Sequence, residues 1–202
     1  MGIANYLTFV RVFIAPIFLI TYMEHDFLGI STTLLPYALL FLLGISELSD
    51  IFDGYLARKY NQVTDFGKVL DPMADSIVRT AVFLTFTLQP VNLPILLIFV
   101  FLYRDSVIST LRTVCALKGF ALAARRSGKI KAVIQAIAAF IVLFLMIPHS
   151  LGHLSATTLH TASTAVVSIA AAYTVYSGIE YVCANWSYIS KLLWQQTPSV
   201  DA

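Results

Sequence analysis

Six stretches of the chain are apolar enough to be read as membrane-spanning helices: about Tyr6–Met23, Thr32–Ser49, Ile77–Leu88, Leu93–Leu111, Lys131–Pro148 and Thr158–Cys183. A span needs roughly 20 mostly apolar residues. The third stretch is short on its apolar count alone. It reaches the required length if its helix begins near Leu70, which puts Asp71 and Asp75 on its first turns. Turn-forming residues separate the runs: Glu24-His25-Asp26, then Pro90, Asn92 and Pro94, then His149 to Ser155 with Gly152. The first run has no small-residue cleavage site and contains Arg11 and Pro16, which favours a retained helix over a cleaved leader. The pattern predicts an all-α integral membrane protein with six transmembrane helices. One domain would cover residues 1–196, and 197–202 would be a short disordered tail.

Composition agrees with the pattern. Of 202 residues, 58% are hydrophobic and 12% charged, where a soluble domain carries about a quarter charged. A net charge of +2 gives no reason to expect a nucleic-acid partner. Cys115 and Cys183 are far apart and lack metal-site spacing, so they read as ordinary helix residues.

Charge also orients the chain. With both termini inside, the three outer connections contain no Lys or Arg, and all 13 basic residues fall toward the inner side. That is the positive-inside pattern. The chemically loaded connections are then the inner ones, Asp50–Lys68 and Arg112–Lys131. His25, His149, His153 and His160 fall on or near the outer side, and Gly152 argues against a helical His149–His153 pair. Tyr22 and Tyr37 at the outer boundary, and Trp186, Tyr188 and Trp194 at the inner one, read as interfacial anchors. Ala170, Ala171 and Ala172 read as helix-packing residues.

The segment Ser49–Ser76 carries the candidate chemistry. Asp50 and Asp53 are three positions apart, and Asp71 and Asp75 four, so each pair shares one face of a helix. Four acids at the inner ends of two neighbouring helices can converge. Such a cluster near a low-dielectric region needs neutralising. Hard divalent cations do this, and carboxylate oxygen is the ligand they prefer. Paired metals are a known device for displacement at phosphorus. Small Gly54 and Ala57 leave a groove beside the acids, Arg58 adjoins it as a phosphate partner, and Gly67 keeps the approach to the second helix open. Pro72 fits the first turn of that helix. Each acid taken singly also fits a solvated inner loop balanced by Arg58, Lys59 and Lys68. It is the joint spacing that argues for a site.

That spacing resembles the signature of the CDP-alcohol phosphotransferase family, at Asp50, Asp53-Gly54, Ala57-Arg58, Gly67, Asp71 and Asp75. The resemblance implies a six-helix, dimeric enzyme with its site at the cytosolic membrane boundary. A bacterial plasma membrane is the expected location, and a mitochondrial inner membrane is also consistent. It implies two divalent cations, Mg²⁺ or Mn²⁺, held by Asp50, Asp53, Asp71 and Asp75, with Asp75 also the general base. Asn5, Thr8, Gly54, Ala57, Arg58, Thr64 and Gly67 would line the site of the CDP-linked lipid. The opening Asn5, Thr8 and Arg11, with Arg104-Asp105, Arg112, Gly128-Lys129, Lys131 and Gln135, is similar to the members that use glycerol 3-phosphate. Asp105 and Ala132 stand where that group has Glu and Thr. The implied donor is CDP-diacylglycerol and the implied acceptor glycerol 3-phosphate. Inositol phosphate, phosphatidylglycerol and serine are alternative acceptors, and a divalent-cation transporter is a different reading of the same acids. A phosphorylated acceptor requires cations, for which Arg104, Arg112, Lys129 and Lys131 are the candidates. A local Arg104–Asp105 balance is the simpler account of the first of these. Lys118, Arg125 and Arg126 fit attraction to anionic headgroups.

Overall fold

The computed structural model of the chain describes residues 3–59, 65–117, 122 and 125–194, with side chains over 10–50, 52, 73–117, 122 and 125–190. Thr64 and the expected tail at 197–202 lie outside them. Among the described residues the chain forms seven α-helices and no strand. These are α1 (Ile3–Met23), α2 (Leu35–Lys59), α3 (Asp65–Thr85), α4 (Ile95–Leu117), α5 (Arg126–Ser150), α6 (Ala156–Ala184) and α7 (Trp186–Trp194).

The first six helices coincide with the six apolar runs, but three features correct the expected boundaries. Helix α2 continues to Lys59 and α3 begins at Asp65, so the acids lie within helices rather than at their ends. Asp50 precedes the end of α2 by nine residues, a projection of about 13 Å at 1.5 Å per residue. Pro72 is therefore well inside α3 and not in its first turn. The third difference is α7, where Trp186 and Tyr188 form part of an additional short helix and stay exposed. Helix propensity and local polar spacing extend these helices beyond the stretch that apolarity alone marks out.

Packing follows the faces. Helix α1 lies against α2 and α3, α6 against α5 and α4, and α2 meets α5 to join the two groups. The buried face of α1 is Arg11, Ile14, Ala15, Phe18 and Tyr22, spaced as one helical stripe. Phe18 meets Phe86 edge-on at 6.2 Å between centroids, and Phe83 meets Phe101 at 4.8 Å. The α5–α6 seam uses small residues. Ala138 and Ala139 on α5, and Ser163, Ala170 and Ala171 on α6, are buried, which lets the backbones approach closely. Ala172 is exposed, so two of the three alanines expected to pack do so. Gln135 Nε2 donates across the seam to Thr174 Oγ1 at 3.1 Å.

Between α5 and α6, Gly152 takes φ +76°, the left-handed turn that glycine accommodates. Ser155 Oγ then accepts from the Thr158 amide at 3.1 Å and caps α6.

The outward faces are apolar ridges. Phe13, Ile17 and Ile20 form one on α1, and Val133, Ile137, Ile141 and Phe144 form another on α5. Ridges of this extent are rare on water-facing proteins and mark an apolar surrounding. Among the described residues, two helices, α5 and α6, are long and apolar enough by themselves to cross a membrane.

Core packing gives the first test. Phe86 is fully buried between Phe18 and Phe83. In lipid the water-transfer part of a truncation is small but the cavity part remains. Phe86→Ala should cost about 2 kcal/mol, below the roughly 3–5 kcal/mol typical of a soluble core. Thermal unfolding in detergent measures it.

Candidate active site

Among the described residues, two side-chain clusters gather charged groups inside the bundle. The first centres on Arg11. This guanidinium is 1% exposed and comes from an otherwise apolar face of α1. Its Nη1 donates to Asp50 Oδ1 on α2 at 2.6 Å and also to Asp75 Oδ1 on α3. Arg79, one turn along α3, places Nη2 at 3.5 Å from Asp75 Oδ2. The acids expected to converge thus do so for this pair, one from each helix, around a common cation. A buried ion pair is tolerable only when the charges are matched and hydrogen-bonded, and three helices supply the partners here.

From the sequence Arg11 stands inside the first apolar run, among the inner basic residues and in the N-terminal pattern, with no partner assigned. A lone arginine in an apolar run calls for a partner inside the bundle, and its identity is not visible along the chain.

The two described carboxylates suit a hard cation chemically, since both offer oxygen and already flank one positive group. Among the described residues there is no group of three or more His, Cys, Asp or Glu disposed to hold a metal. Asp53, Gly54, Ala57 and Arg58 are on α2, Gly67 and Asp71 on α3, and Asn5 and Thr8 on α1. The side chains of all eight lie outside the described residues, as does Thr64 entirely.

The second cluster joins α4, α5 and α6. Asp105 accepts from buried Lys131 at 2.7 and 2.8 Å and from Arg104 Nη1 at 3.0 Å. The expected local Arg104–Asp105 balance exists, but Lys131 shares it from another helix. Glu180 on α6 accepts from Arg125 Nε at 2.8 Å and from the Ser127 hydroxyl. Arg125 is thereby tied into the bundle rather than left to headgroups. Arg112 Nε donates to the Tyr181 hydroxyl at 3.1 Å. Lys129 is exposed. Four cations (Arg104, Arg112, Arg125 and Lys131) thus face two carboxylates, Asp105 and Glu180. The surplus is positive.

The start of α5 adds to that surplus. Its N-cap, Arg125, makes no side-chain capping bond, and no acid occupies its first turn. The positive end of the α5 dipole lies at this terminus, beside Arg125. Gly178 makes room here: a Cβ on it would come within 3.1 Å of Arg104 Cγ, whereas one at Gly128 would sit in ordinary contact at 3.6 Å from Arg104 Nη2. Sequence reading gave α6 a packing role only, and missed Gly178, Glu180 and Tyr181. Glu180 was the available signal, an acid near the C-terminal end of a long apolar run.

The two clusters adjoin through Arg79, which pairs with Asp75 and acts electrostatically on Lys131. At the other end, two of the histidines meet backbone carbonyls: His149 Nδ1 lies 2.9 Å from that of Leu154, and His160 Nδ1 3.3 Å from that of Val91. His149 lies in the last turn of α5 and His153 beyond its end, so they share no helix face. Cys115 and Cys183 are free.

A family model described as CDP-alcohol phosphatidyltransferase matches residues 1–186. The chain belongs to that family. It is an enzyme of the phosphatidyltransferase class and a membrane protein of phospholipid synthesis. It is similar to the Bacillus subtilis (strain 168) CDP-diacylglycerol–glycerol-3-phosphate 3-phosphatidyltransferase, with 34% identity over 193 residues covering 92% of this chain and 95% of that protein. The Rickettsia felis protein of the same name is 33% identical over 142 residues, covering 70% of this chain and 75% of its own. A probable phosphatidylglycerophosphate synthase of Mycobacterium tuberculosis (strain H37Rv) is 29% identical over 182 residues, covering 90% and 80%.

Arg11 yields a test specific to this phosphatidyltransferase. Arg11→Gln leaves Asp50 and Asp75 facing each other without their shared cation. We expect a loss of about 2 kcal/mol in EDTA, less than for a fully buried pair because Asp50 is half exposed. Excess Mg²⁺ should recover most of it, so the gap in melting temperature between EDTA and Mg²⁺ widens relative to wild type. An unchanged gap would show that Arg11 does not neutralise these acids.

Proposed function

We propose that this enzyme transfers the phosphatidyl group of CDP-diacylglycerol to glycerol 3-phosphate, releasing CMP. The observation that carries the acceptor is the cationic surplus of the second cluster beside the acids of the first. A phosphate monoester dianion matches an excess of two cations, and serine or another neutral alcohol does not. The names of the relatives support the same reading.

In this reading Asp50, Asp53, Asp71 and Asp75 hold two divalent cations, Mg²⁺ or Mn²⁺. When bound, these supply charge stabilisation for the pyrophosphate and the departing nucleotide. Asn5, Thr8, Gly54, Ala57, Arg58, Thr64 and Gly67 line the nucleotide side. Arg104, Arg112, Lys129 and Lys131 draw in the phosphate of the acceptor and aim its hydroxyl at Asp75. The Asp75 carboxylate takes the hydroxyl proton, the oxygen bonds to the phosphorus bearing diacylglycerol, and the bond from that phosphorus to CMP breaks. Arg79 lies beside Asp75 Oδ2 and Arg11 donates to Oδ1, and together they orient the carboxylate.

All six long helices cross the membrane with both termini inward, two copies associate, and the site opens at the cytoplasmic face of a bacterial plasma membrane. The apolar outer ridges and the inward bias of basic residues support this arrangement.

Purified protein supplied with CDP-diacylglycerol, Mg²⁺ and a panel of alcohols provides the test. CMP release is expected with glycerol 3-phosphate and not with serine, inositol phosphate or phosphatidylglycerol. Release with inositol phosphate alone would overturn the acceptor. Asp75→Asn should still bind the CDP-lipid while turnover falls by roughly a thousandfold, the scale of a lost general base.

A further inference from the structure

Nearly every buried or half-buried cation described in this site is matched to a carboxylate. Arg11 and Arg79 face Asp75, Arg104 and Lys131 share Asp105, and Arg125 is paired with Glu180. Arg112 differs. It is half-buried on α4, and among the described residues its partner is a neutral phenol. Its Nε donates to the Tyr181 hydroxyl at 3.1 Å, and its guanidinium carbon lies 5.2 Å from the Tyr181 ring centroid. The adjacent acid, Glu180, is engaged with Arg125 and Ser127 instead.

This arrangement has a chemical consequence. A guanidinium binds phosphate best through two parallel N–H groups. Spending Nε on Tyr181 fixes the plane of the fork and leaves the two Nη nitrogens uncommitted to any described carboxylate. Tyr181 is 1% exposed and hence rigid. A phenol orients the cation without neutralising it, as a carboxylate would.

We infer that Tyr181 is a positioning residue that holds Arg112 in the orientation needed to take the acceptor phosphate through its two Nη groups. The inference rests on the acceptor assignment above and adds to it a residue of α6. It makes Tyr181 a determinant of preference for phosphorylated over unphosphorylated acceptors.

Steady-state kinetics of the full-length enzyme in mixed micelles test it, with inorganic phosphate as a competing probe. Tyr181→Phe keeps the ring and the packing and removes only the hydroxyl. The KM for glycerol 3-phosphate should rise about tenfold, the worth of one hydrogen bond to a charged group. The inhibition constant of inorganic phosphate should weaken by a similar factor, while the KM for CDP-diacylglycerol holds. Tyr181→Leu, which also loses the ring, should raise the acceptor KM further. Arg112→Gln separates the two ideas. If it raises the acceptor KM and Tyr181→Phe does not, the acceptor site stands and the positioning role is wrong. If Arg112→Gln leaves the acceptor KM unchanged, the acceptor assignment of Arg112 falls and this inference falls with it. A Tyr181→Phe effect confined to kcat, or one equal for both substrates, would indicate a general structural role and overturn the inference.

Discussion

A full positive charge buried on an apolar helix face constrains everything around it. Arg11 cannot stay charged inside the bundle without anions, and α1 offers none beside it. Asp50 must come from α2 and Asp75 from α3, so the pairing fixes the mutual depth and rotation of three helices. The apolar contacts further along α1, at Phe18 and Tyr22, fall in the same stripe as Arg11. Once the ion pairs set the register, the aromatic core closes in step with it. The same pairs bring together carboxylates that lie 25 positions apart in sequence, from Asp50 to Asp75.

The second cluster obeys the same rule with a different outcome. Asp105 and Glu180 hold three cations in place but leave the region positive. A bundle would not keep this excess for stability, because unmatched buried charge is costly. The uncapped start of α5 adds positive potential in the same place. The cost is intelligible if an anionic substrate completes the balance when it binds. Arg79 pairs with Asp75 and is near enough to Lys131 to act on it electrostatically, so the acids and the cations are neighbours in an otherwise apolar interior.

Around these groups the packing is of two kinds. Aromatic rings fill the space among α1, α3 and α4, whereas α5 and α6 meet through alanine, serine and threonine. Small residues suit helices whose outer faces meet an apolar medium, since the gain there comes from close backbone approach rather than from expelling water. The Gln135–Thr174 hydrogen bond pins the seam that presents Lys131 on one side and Tyr181 on the other.

By itself the sequence determined the helical class, the six apolar runs and the family, because apolar run length and the spacing of Asp50, Asp53, Asp71 and Asp75 are local, periodic properties. It also pointed to Arg104, Arg112, Lys129 and Lys131 as a group. Helix ends were less legible: α2 and α3 continue past their apolar parts because polar residues sustain a helix as readily as apolar ones, and hydropathy does not register them. Pairings across helices were not legible at all. Nothing local joins Arg11 to Asp50 and Asp75, Lys131 to Asp105, or Arg112 to Tyr181. These partners lie between 26 and 69 positions apart. Each is chosen by which helix faces meet, and that is a property of the assembled bundle rather than of any one segment.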